Sequence, residues 1–298
     1  MSTAARRFDL VVNPTAGRGR AGRILPTVTR VLNEALPGVD LRVITATATA
    51  HAEESCRAAA TEADALLVMG GDGMAHLGLN ACAGTTVPLG VLPAGTGNDL
   101  CRGLGLPLRV RDAVAALTRD RVRTVDLARV QPAGGGVRWV GCVVSTGFDS
   151  RVALRTAAMR VPLGPLAYAW SALAELRTFV PLQYRLGIDG ARRELSSMAV
   201  FVANAEFFGG GMRAAPGADV TDGLLDVTII HPVSRGVLLR LLPTLYSGRF
   251  VSHPCVERLR ATEVVVDGDG LVGSGDGEPL GEVPLIVRAV PGALTVLG

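Results

Sequence analysis

The sequence predicts an α/β protein in which a parallel sheet with helices on both faces is followed by a β-rich domain. Strand-like runs alternate with helix-like runs over the first part of the chain, which is typical of such a sheet. Gly-rich turns follow three of these strands, at 13–17, 70–73 and 95–97. Past about residue 120 the alternation gives way to successive strand-like runs, which indicates a second domain.

Each N-terminal element is predicted by its apolar spacing. A buried strand at 8–12 is followed by helical spacing over 20–36, and a second strand at 41–44 by a helix over about 51–63. The third strand, at 66–69, passes through a turn into a helix, and the fourth, at 88–92, passes into a short helix. Past about residue 120 the strand-like runs are 124–130, 138–145, 195–203, 224–230, 263–266, 283–290 and 294–297, and the last of them could belong to either domain.

The chain of 298 residues is long enough for two domains. We place the first at 1–130 and the second at 131–287, and expect residues 288–298 to complete the first. Helical patterns interrupt the second domain at about 163–179 and 234–247. The apolar stripe of the former predicts a core helix rather than a membrane-facing one.

The composition limits the function. Hydrophobic residues make up 48% and charged residues 19%, which is typical of an ordered globular protein. The net charge of +3 is too small to indicate nucleic-acid binding. All 30 basic residues are arginine, so a Walker-type lysine and a Schiff-base lysine are excluded. Five scattered cysteines without C-x-x-C spacing favour a reducing, cytoplasmic setting. We expect a soluble protein, or one that at most lies on a membrane.

The turn at 70–73 is the most informative stretch. Its three glycines let the backbone bend sharply and approach a ligand, and the N–H groups at the following helix start form an anion site. Asp72 would repel a phosphate there unless it holds a metal ion, positions a hydroxyl or is held by hydrogen-bond donors. The simpler alternative is that Asp72 caps the helix.

The other two turns add phosphate-binding groups. The turn at 13–17, with Arg18 and Arg20 behind it, is a candidate phosphate loop or a solvated arginine cluster. In the turn at 95–97, Thr96 supplies a hydroxyl, and an amide follows in Asn98. Because the carboxyl ends of parallel strands share one edge, we expect the three turns to converge there.

Acidic residues distinguish the second domain. Asp219, Asp222 and Asp226 have a spacing that could hold a hard cation, or form a turn rich in Asp and Gly. Asp276 and Glu278 are two residues apart and would face one side of a strand, where paired carboxylates can share a proton. The alternative there is a plain hairpin. The dipeptides 189–190 and 267–268 (Asp-Gly) are hairpin signals.

These motifs follow one another in a set order: Asn13-Pro14-Thr15-Ala16-Gly17, Gly70-Gly71-Asp72-Gly73, Pro93-x-Gly95-Thr96-Gly97-Asn98-Asp99, Asn204 with Gly209-Gly210-Gly211, Asp222-Gly223-x-Leu225-Asp226, and Asp276-Gly277-Glu278. In this order the chain resembles the diacylglycerol kinase-like lipid kinases, in particular the soluble bacterial branch related to sphingosine and ceramide kinases. The resemblance spans residue 8 to about 280.

The resemblance implies a 6-phosphofructokinase-like nucleotide domain followed by a lipid-binding β-sandwich. It implies a magnesium ion held by Asp222 and by the backbone carbonyls of Asp219 and Leu224. Asp276 and Glu278 would activate the acceptor hydroxyl, with Asp126 in support and Asp72 organising the nucleotide. The residues expected at ATP are Asn13, Pro14, Thr15, Ala16, Gly17, Thr45, Gly70, Gly71, Asp72, Gly73, Met74, His76, Gly95, Thr96, Gly97 and Asn98.

The implied activity is transfer of the γ-phosphoryl of ATP to a lipid hydroxyl, with Mg²⁺, most simply from diacylglycerol to phosphatidic acid. The partner is then a lipid at a membrane surface, with transient membrane association of a cytoplasmic protein, and a homodimer is allowed. Met74 departs from the family pattern, which has threonine at this position, so a hydroxyl near the phosphates is lost.

Three other functions stay open. A NAD kinase-like enzyme would share the Gly-Gly-Asp-Gly turn. A nicotinamide oxidoreductase is suggested by Gly17-x-Gly19-x-x-Gly22, but the second strand ends in Ile44 and Thr45 without the acid that binds ribose. A non-catalytic lipid- or nucleotide-binding paralogue is suggested by Met74.

Overall fold

The chain folds into two compact units. The computed structural model describes residues 6–119, 121–157, 171, 174–175 and 179–298. Unit 1 extends to Leu127 and includes the C-terminal segment Pro291–Gly298, whereas unit 2 spans Ala128–Val290. The sequence-based division was placed at 130/131 and 287/288.

Unit 1 is built on a parallel sheet. Its strands are β1 (Arg6–Val12), β2 (Val39–Thr45), β3 (Ala65–Gly70) and β4 (Leu89–Pro93). They lie in the order β2-β1-β3-β4, and the end of the last strand of the chain pairs in parallel with β4 through Val296 and Leu297. The helices of unit 1 are α1 (Ala16–Ala35), α2 (Thr49–Glu62), α3 (Asp72–Cys82), α4 (Asp99–Gly103) and α5 (Val110–Leu117).

Helices cover both faces of this sheet because successive strand residues point to opposite sides. On one face Leu67 and Met69 of β3 join a core with Leu32 of α1 and Val114 of α5. On the other face, Val68 lies so close to Gly78 of α3 that a methyl group there would collide with it. The predicted α/β architecture is confirmed, although α5 was not anticipated.

Unit 2 is a β-sandwich. One antiparallel sheet has the order β14 (Val256–Ala261), β13 (Leu225–Ile230), β10 (Ala199–Ala203), β7 (Val143–Gly147), β16 (Val272–Gly275) and β17 (Glu278–Glu282). In the second sheet, the first part of β18 (Leu285–Leu297) pairs with β15 (Glu263–Asp267), which pairs with β8 (Leu182–Ile188), which pairs with β9 (Ala191–Ser197). Their facing side chains, such as Val200 and Val227 from one sheet and Val264 and Val287 from the other, form one core. The remaining strands are β5 (Val122–Pro132, which begins in unit 1), β6 (Arg138–Val140), β11 (Phe207–Phe208) and β12 (Met212–Arg213).

Helical segments are short in the described part of unit 2. They include α6 (Phe148–Ala157), the helix Arg235–Leu241 and the 3₁₀ turns Leu242–Leu245 and Arg249–Ser252. The predicted 234–247 helix is therefore correct only in its first half. The predicted 163–179 helix lies almost entirely outside the described residues.

One of the two predicted hairpins is wrong. Asp189 and Gly190 do join β8 to β9, both with positive φ, as a tight two-residue turn requires. After Asp267, however, the chain leaves β15, which pairs with β8 and β18, and enters β16, which pairs with β7 and β17. This Asp-Gly turn carries the chain from one sheet to the other, a long-range outcome that the dipeptide does not encode.

No helix in the described part of the chain is both long and apolar enough to cross a membrane.

Candidate functional site

Two of the Gly-rich turns of unit 1 touch backbone to backbone. The N–H groups of Ala94 and Gly95 donate to the carbonyl oxygen of Gly70, at 2.7 and 3.1 Å. A Cβ atom on Gly95 would lie 2.5 Å from the Cα of Gly71, a distance that real Cβ atoms do not tolerate. Glycine is therefore required here because the two turns come too close for a side chain.

The first turn reaches the same place. Gly17 has φ +60, and a Cβ atom there would collide with the carbonyl oxygen of Ala94. Because Gly17 contacts the third turn and Gly95 contacts the second, the three turns that follow β1, β3 and β4 meet at one edge of the sheet. The backbone of these turns is the candidate phosphate site.

The turn at 13–17 is locally ordered by its own side chains. Asn13 Oδ1 accepts hydrogen bonds from the N–H of Thr15 at 3.0 Å and from its hydroxyl at 2.7 Å. The Gly22 N–H donates back to the Pro14 carbonyl at 3.1 Å. Between Pro14 and Gly22, residues 17–19 all have a left-handed backbone conformation, including the non-glycine residue Arg18 at φ 59. Such local strain is concentrated at functional sites, and regular helix begins only at Arg20.

Asp72 is held by hydrogen-bond donors, one of the outcomes that the sequence left open. It is the first residue of α3, and its two carboxylate oxygens accept the N–H groups of Asn98 at 2.9 Å and Asp99 at 2.6 Å. These N–H groups open α4, and Asn98 has a left-handed backbone at φ 54. Asp72 thus joins the second turn to the third and is a positioning residue in this arrangement.

We expect Asp72→Asn to loosen the phosphate site. An amide offers one acceptor instead of two and would point N–H groups at a backbone donor, costing about 1–3 kcal/mol of unfolding free energy. Melting temperature and calorimetric binding of an ATP analogue measure the effect, and we expect binding weakened about tenfold or more. Asp40→Asn, an exposed acid of the same unit, is the control. Unchanged nucleotide affinity in Asp72→Asn would contradict the positioning role.

The remaining predicted nucleotide residues differ in exposure. Thr45, at the end of β2, and Gly73 and Thr96 are exposed, Ala16 and His76 are half-buried, and Gly97 is buried. Met74 is only 5% exposed and packs against Gly70. Its side chain is thus part of the core, and a contact of residue 74 with a nucleotide would have to come from its backbone.

Sequence reasoning missed Arg102 at this site. Its Nε donates to the Gly97 carbonyl at 3.1 Å and so fixes the third turn from within α4. The available signal was a basic residue one turn into the helix that follows the Gly-rich loop. Asp126, which was predicted, is buried and accepts the Gly292 N–H at 2.8 Å, tying the end of the chain to unit 1.

In unit 2, Asp276 lies at the tip of a hairpin. With φ values of 51 and 87, Asp276 and Gly277 form the two-residue turn that joins β16 to β17. The hairpin alternative is therefore correct for this stretch. Glu278 is the first residue of β17 and is exposed.

The Asp276 carboxylate is used by the backbone of a neighbouring loop. It accepts the N–H groups of Gly141 at 2.7 Å, Cys142 at 2.9 Å and Val143 at 3.1 Å. A carboxylate has about four acceptor positions, so three of them are occupied. The same loop is held on its other side by Asn204, whose Nδ2 donates to the Gly141 carbonyl at 2.9 Å. Asp276 and Glu278 therefore have different environments.

The predicted magnesium residues are engaged with one another and with arginine. Asp219 Oδ1 accepts the N–H of Thr221 at 3.0 Å and its hydroxyl at 2.7 Å, and these bonds hold the pKa of Asp219 below its usual range. Asp222 accepts the Leu224 N–H at 2.9 Å through one oxygen and pairs with Arg260 through the other.

Arg260 also faces Asp226, which lies directly opposite it across β13 and β14. Arg258 pairs with the Asp226 carboxylate at 3.3 Å. Burial raises the pKa of Asp226, while the two guanidinium groups oppose that rise. Among the described residues, no group of three or more His, Cys, Asp or Glu side chains is arranged to hold a metal ion. The predicted magnesium site combines the Asp222 carboxylate with the backbone carbonyls of Asp219 and Leu224 rather than three such side chains, and it stays a prediction.

If the predicted magnesium site forms, the melting temperature of the wild-type protein should be higher with Mg²⁺ than with chelator. Arg260→Gln should lower the free energy of unfolding by about 2 kcal/mol. This loss is smaller than that for a buried carboxylate left without any cation, because Arg258 still pairs with Asp226. The deficit should shrink as the pH falls, since protonation of an acid with a raised pKa removes the unpaired charge. Thermal melts across pH measure this, with Arg192→Gln as the control. A deficit in Arg260→Gln that does not change with pH would contradict the pairing of Arg260 with Asp226, and equal wild-type melting temperatures with Mg²⁺ and with chelator would contradict the magnesium site.

Comparison with known proteins agrees with this architecture. Residues 7–130 match the diacylglycerol kinase catalytic domain, and residues 142–298 match the YegS C-terminal NAD kinase beta sandwich-like domain. The chain is 38% identical over 295 residues to a diacylglycerol kinase of Mycobacterium tuberculosis, covering 98% of this chain and 94% of the relative. It is 30% identical to a probable lipid kinase YegS-like of Stenotrophomonas maltophilia, covering 77% of each.

Solved structures share the fold. A diacylglycerol kinase from Bacillus anthracis superposes with a TM-score of 0.74 at 20% identity, covering 99% of this chain and 98% of its own. A second structure from that organism gives a TM-score of 0.81 at 22% identity, covering 100% and 96%.

The α/β unit with converging Gly-rich turns and the β-sandwich unit together define a phosphotransferase of the lipid kinase class. The chain belongs to the diacylglycerol kinase family, and it carries the catalytic domain of that family followed by the YegS C-terminal domain.

Proposed function

We propose that the protein transfers the γ-phosphoryl group of ATP to the free hydroxyl of diacylglycerol and releases phosphatidic acid and ADP. The observation that carries this proposal is the 38% identity to the diacylglycerol kinase of Mycobacterium tuberculosis over nearly the whole of both chains. In the transfer, the bond between the γ-phosphorus and the β,γ-bridging oxygen breaks. A new bond forms to the lipid oxygen, whose proton passes to a carboxylate.

Unit 1 is proposed to bind the nucleotide. Phosphoryl transfer passes through a loose transition state in which charge lies on the phosphoryl oxygens, so positioned dipoles supply most of the catalysis. The converged turns offer backbone N–H groups, and Thr45 and Thr96 offer exposed hydroxyls beside them. Without lysine in the chain, cationic support comes from arginine and from the Mg²⁺ that accompanies ATP as substrate.

Unit 2 is proposed to supply the acid-base group and the lipid site. Glu278 is an exposed carboxylate at the start of β17, which suits a group that receives the hydroxyl proton. Asp276 holds the 141–143 loop and so positions the hairpin that carries Glu278, and it is the second candidate for the proton acceptor. Asp126, a buried residue of unit 1, is proposed to support the transfer.

An acceptor screen tests the proposal. The purified protein is incubated with γ-labelled ATP, Mg²⁺ and vesicles containing diacylglycerol, ceramide or sphingosine, or with NAD in solution, and the products are identified by mass. We expect labelled phosphatidic acid that depends on Mg²⁺. Phosphorylated NAD instead would favour a NAD kinase-like activity, and nucleotide binding without any transfer would favour a non-catalytic paralogue. The allowed homodimer is tested by light scattering on the same preparation.

A further inference from the structure

A segment of unit 2 carries positive charge and no acid. Between Asp226 and Glu257 the sequence contains Arg235, Arg240 and Arg249 but neither aspartate nor glutamate. This segment is therefore a local concentration of one sign of charge on a chain whose net charge is only +3.

The segment folds as a helical cover, which we define as Arg235–Ser252. Its inner side is apolar: Leu238, Leu241, Leu245 and Phe250 are all buried. They face a cavity whose other walls include Phe148, Met198, Phe201 and Ile230. That cavity has a volume of about 20 Å³, room for little more than one water molecule. The inner side is thus already packed, and a lipid chain does not fit there in this arrangement.

The outer side of the helical cover combines exposed apolar groups with arginine. Leu239 is 48% exposed and Tyr246 is 57% exposed, each next in sequence to a buried leucine. Arg235, Arg240 and Arg249 are exposed as well. Within the described part of the chain no ion pair involves these three arginines, whereas Arg185, Arg193, Arg258 and Arg260 of the same unit all pair with acids.

We propose that the outer side of the helical cover docks the protein on an anionic lipid surface. Leucine and tyrosine enter the headgroup region readily, and unpaired guanidinium groups are attracted to anionic headgroups. Neither the exposed apolar side chains nor the arginines alone would attach the protein stably to a membrane, but together they give reversible docking. The inference rests on the proposed function in one respect, because a kinase acting on a membrane lipid must reach a bilayer.

Vesicle sedimentation with the full chain tests this docking separately from catalysis. Wild-type protein should bind vesicles of phosphatidylcholine with phosphatidylglycerol more tightly than vesicles of phosphatidylcholine alone, and added salt should weaken the binding. Each surface arginine contributes about a fivefold factor to such partitioning. Arg240→Glu with Arg249→Glu should therefore weaken it by about 25-fold or more, and Leu239→Ser with Tyr246→Ser should weaken it even at low salt.

The matched control is Arg138→Glu with Arg192→Glu, which makes the same change in net charge at exposed positions of the same unit. We expect this control to lose far less affinity. Equal loss in the two charge variants, or retained binding in Arg240→Glu with Arg249→Glu, would overturn the proposal. Activity on detergent-dispersed diacylglycerol should be unchanged in that variant. The wild-type protein could bind anionic vesicles in this salt-dependent way and yet phosphorylate no detergent-dispersed diacylglycerol. In that case the proposed function fails while the docking surface stands.

Discussion

Gly95→Ala should abolish nucleotide binding by the protein and, with it, phosphoryl transfer. The new methyl carbon would lie 2.5 Å from the Cα of Gly71, so the backbone of one turn must move away from the other. Backbone atoms give way less easily than a side chain, and we expect a loss of about 3 kcal/mol in unfolding free energy, at the upper end for overpacking. The larger effect is on the site, because the phosphate-binding N–H groups belong to the two turns that are pushed apart.

Gly134→Ala is the matched control for this experiment. Gly134 is exposed, its φ is not positive, and a Cβ atom there would meet nothing within 4 Å. Its stability should stay within about 0.5 kcal/mol of wild type. Binding of an ATP analogue by calorimetry and thermal melting measure both variants. If Gly95→Ala binds nucleotide as tightly as Gly134→Ala, the contact between the turns is not what shapes the phosphate site.

The convergence of the turns was predictable because it follows from local rules. Parallel strands bring their carboxyl ends to one edge, and each strand end was marked by glycines. The two-residue turn at Asp276-Gly277 was also locally encoded, as one of two interpretations of that stretch. Motifs of this kind act over a few residues, and the sequence displays them directly.

The partners of the acids were not predictable in the same way. Asp72 accepts N–H groups from 26 and 27 residues away, and Asp276 accepts them from 133 to 135 residues away. Asp222 and Asp226 meet Arg260 only because β13 and β14 pair in one register. The alternation of Arg258 and Arg260 in β14 placed two cations on one face, but nothing local indicated which strand they would face. Consequently the sequence identified the acids but not their hydrogen-bond and ion-pair partners.

Glu278→Gln should reduce turnover by about a hundredfold, the lower range for losing a general base, while leaving stability within about 0.5 kcal/mol because the side chain is exposed. Glu282→Gln, an exposed acid on the same strand, is the control and should keep full activity.

Asp276 requires a different interpretation because its substitution also affects the fold. Asp276→Ala leaves three backbone N–H groups of buried residues without their acceptor and places alanine at φ 51, for a loss of about 3 kcal/mol. Asp276→Asn tolerates that backbone and keeps one acceptor oxygen, so we expect a loss of about 1 kcal/mol.

Thermal melts and initial rates across pH, measured on all four variants, separate the two roles. If Glu278 receives the proton, Glu278→Gln should abolish the fall of the initial rate at low pH. Asp276→Asn should then lower the rate at every pH without changing the shape of the profile. The reverse pattern, with Glu278→Gln as active as Glu282→Gln, would exclude Glu278 and leave Asp276 as the proton acceptor. The Asp276 carboxylate would then have to accept the substrate hydroxyl in addition to the three N–H groups during each turnover.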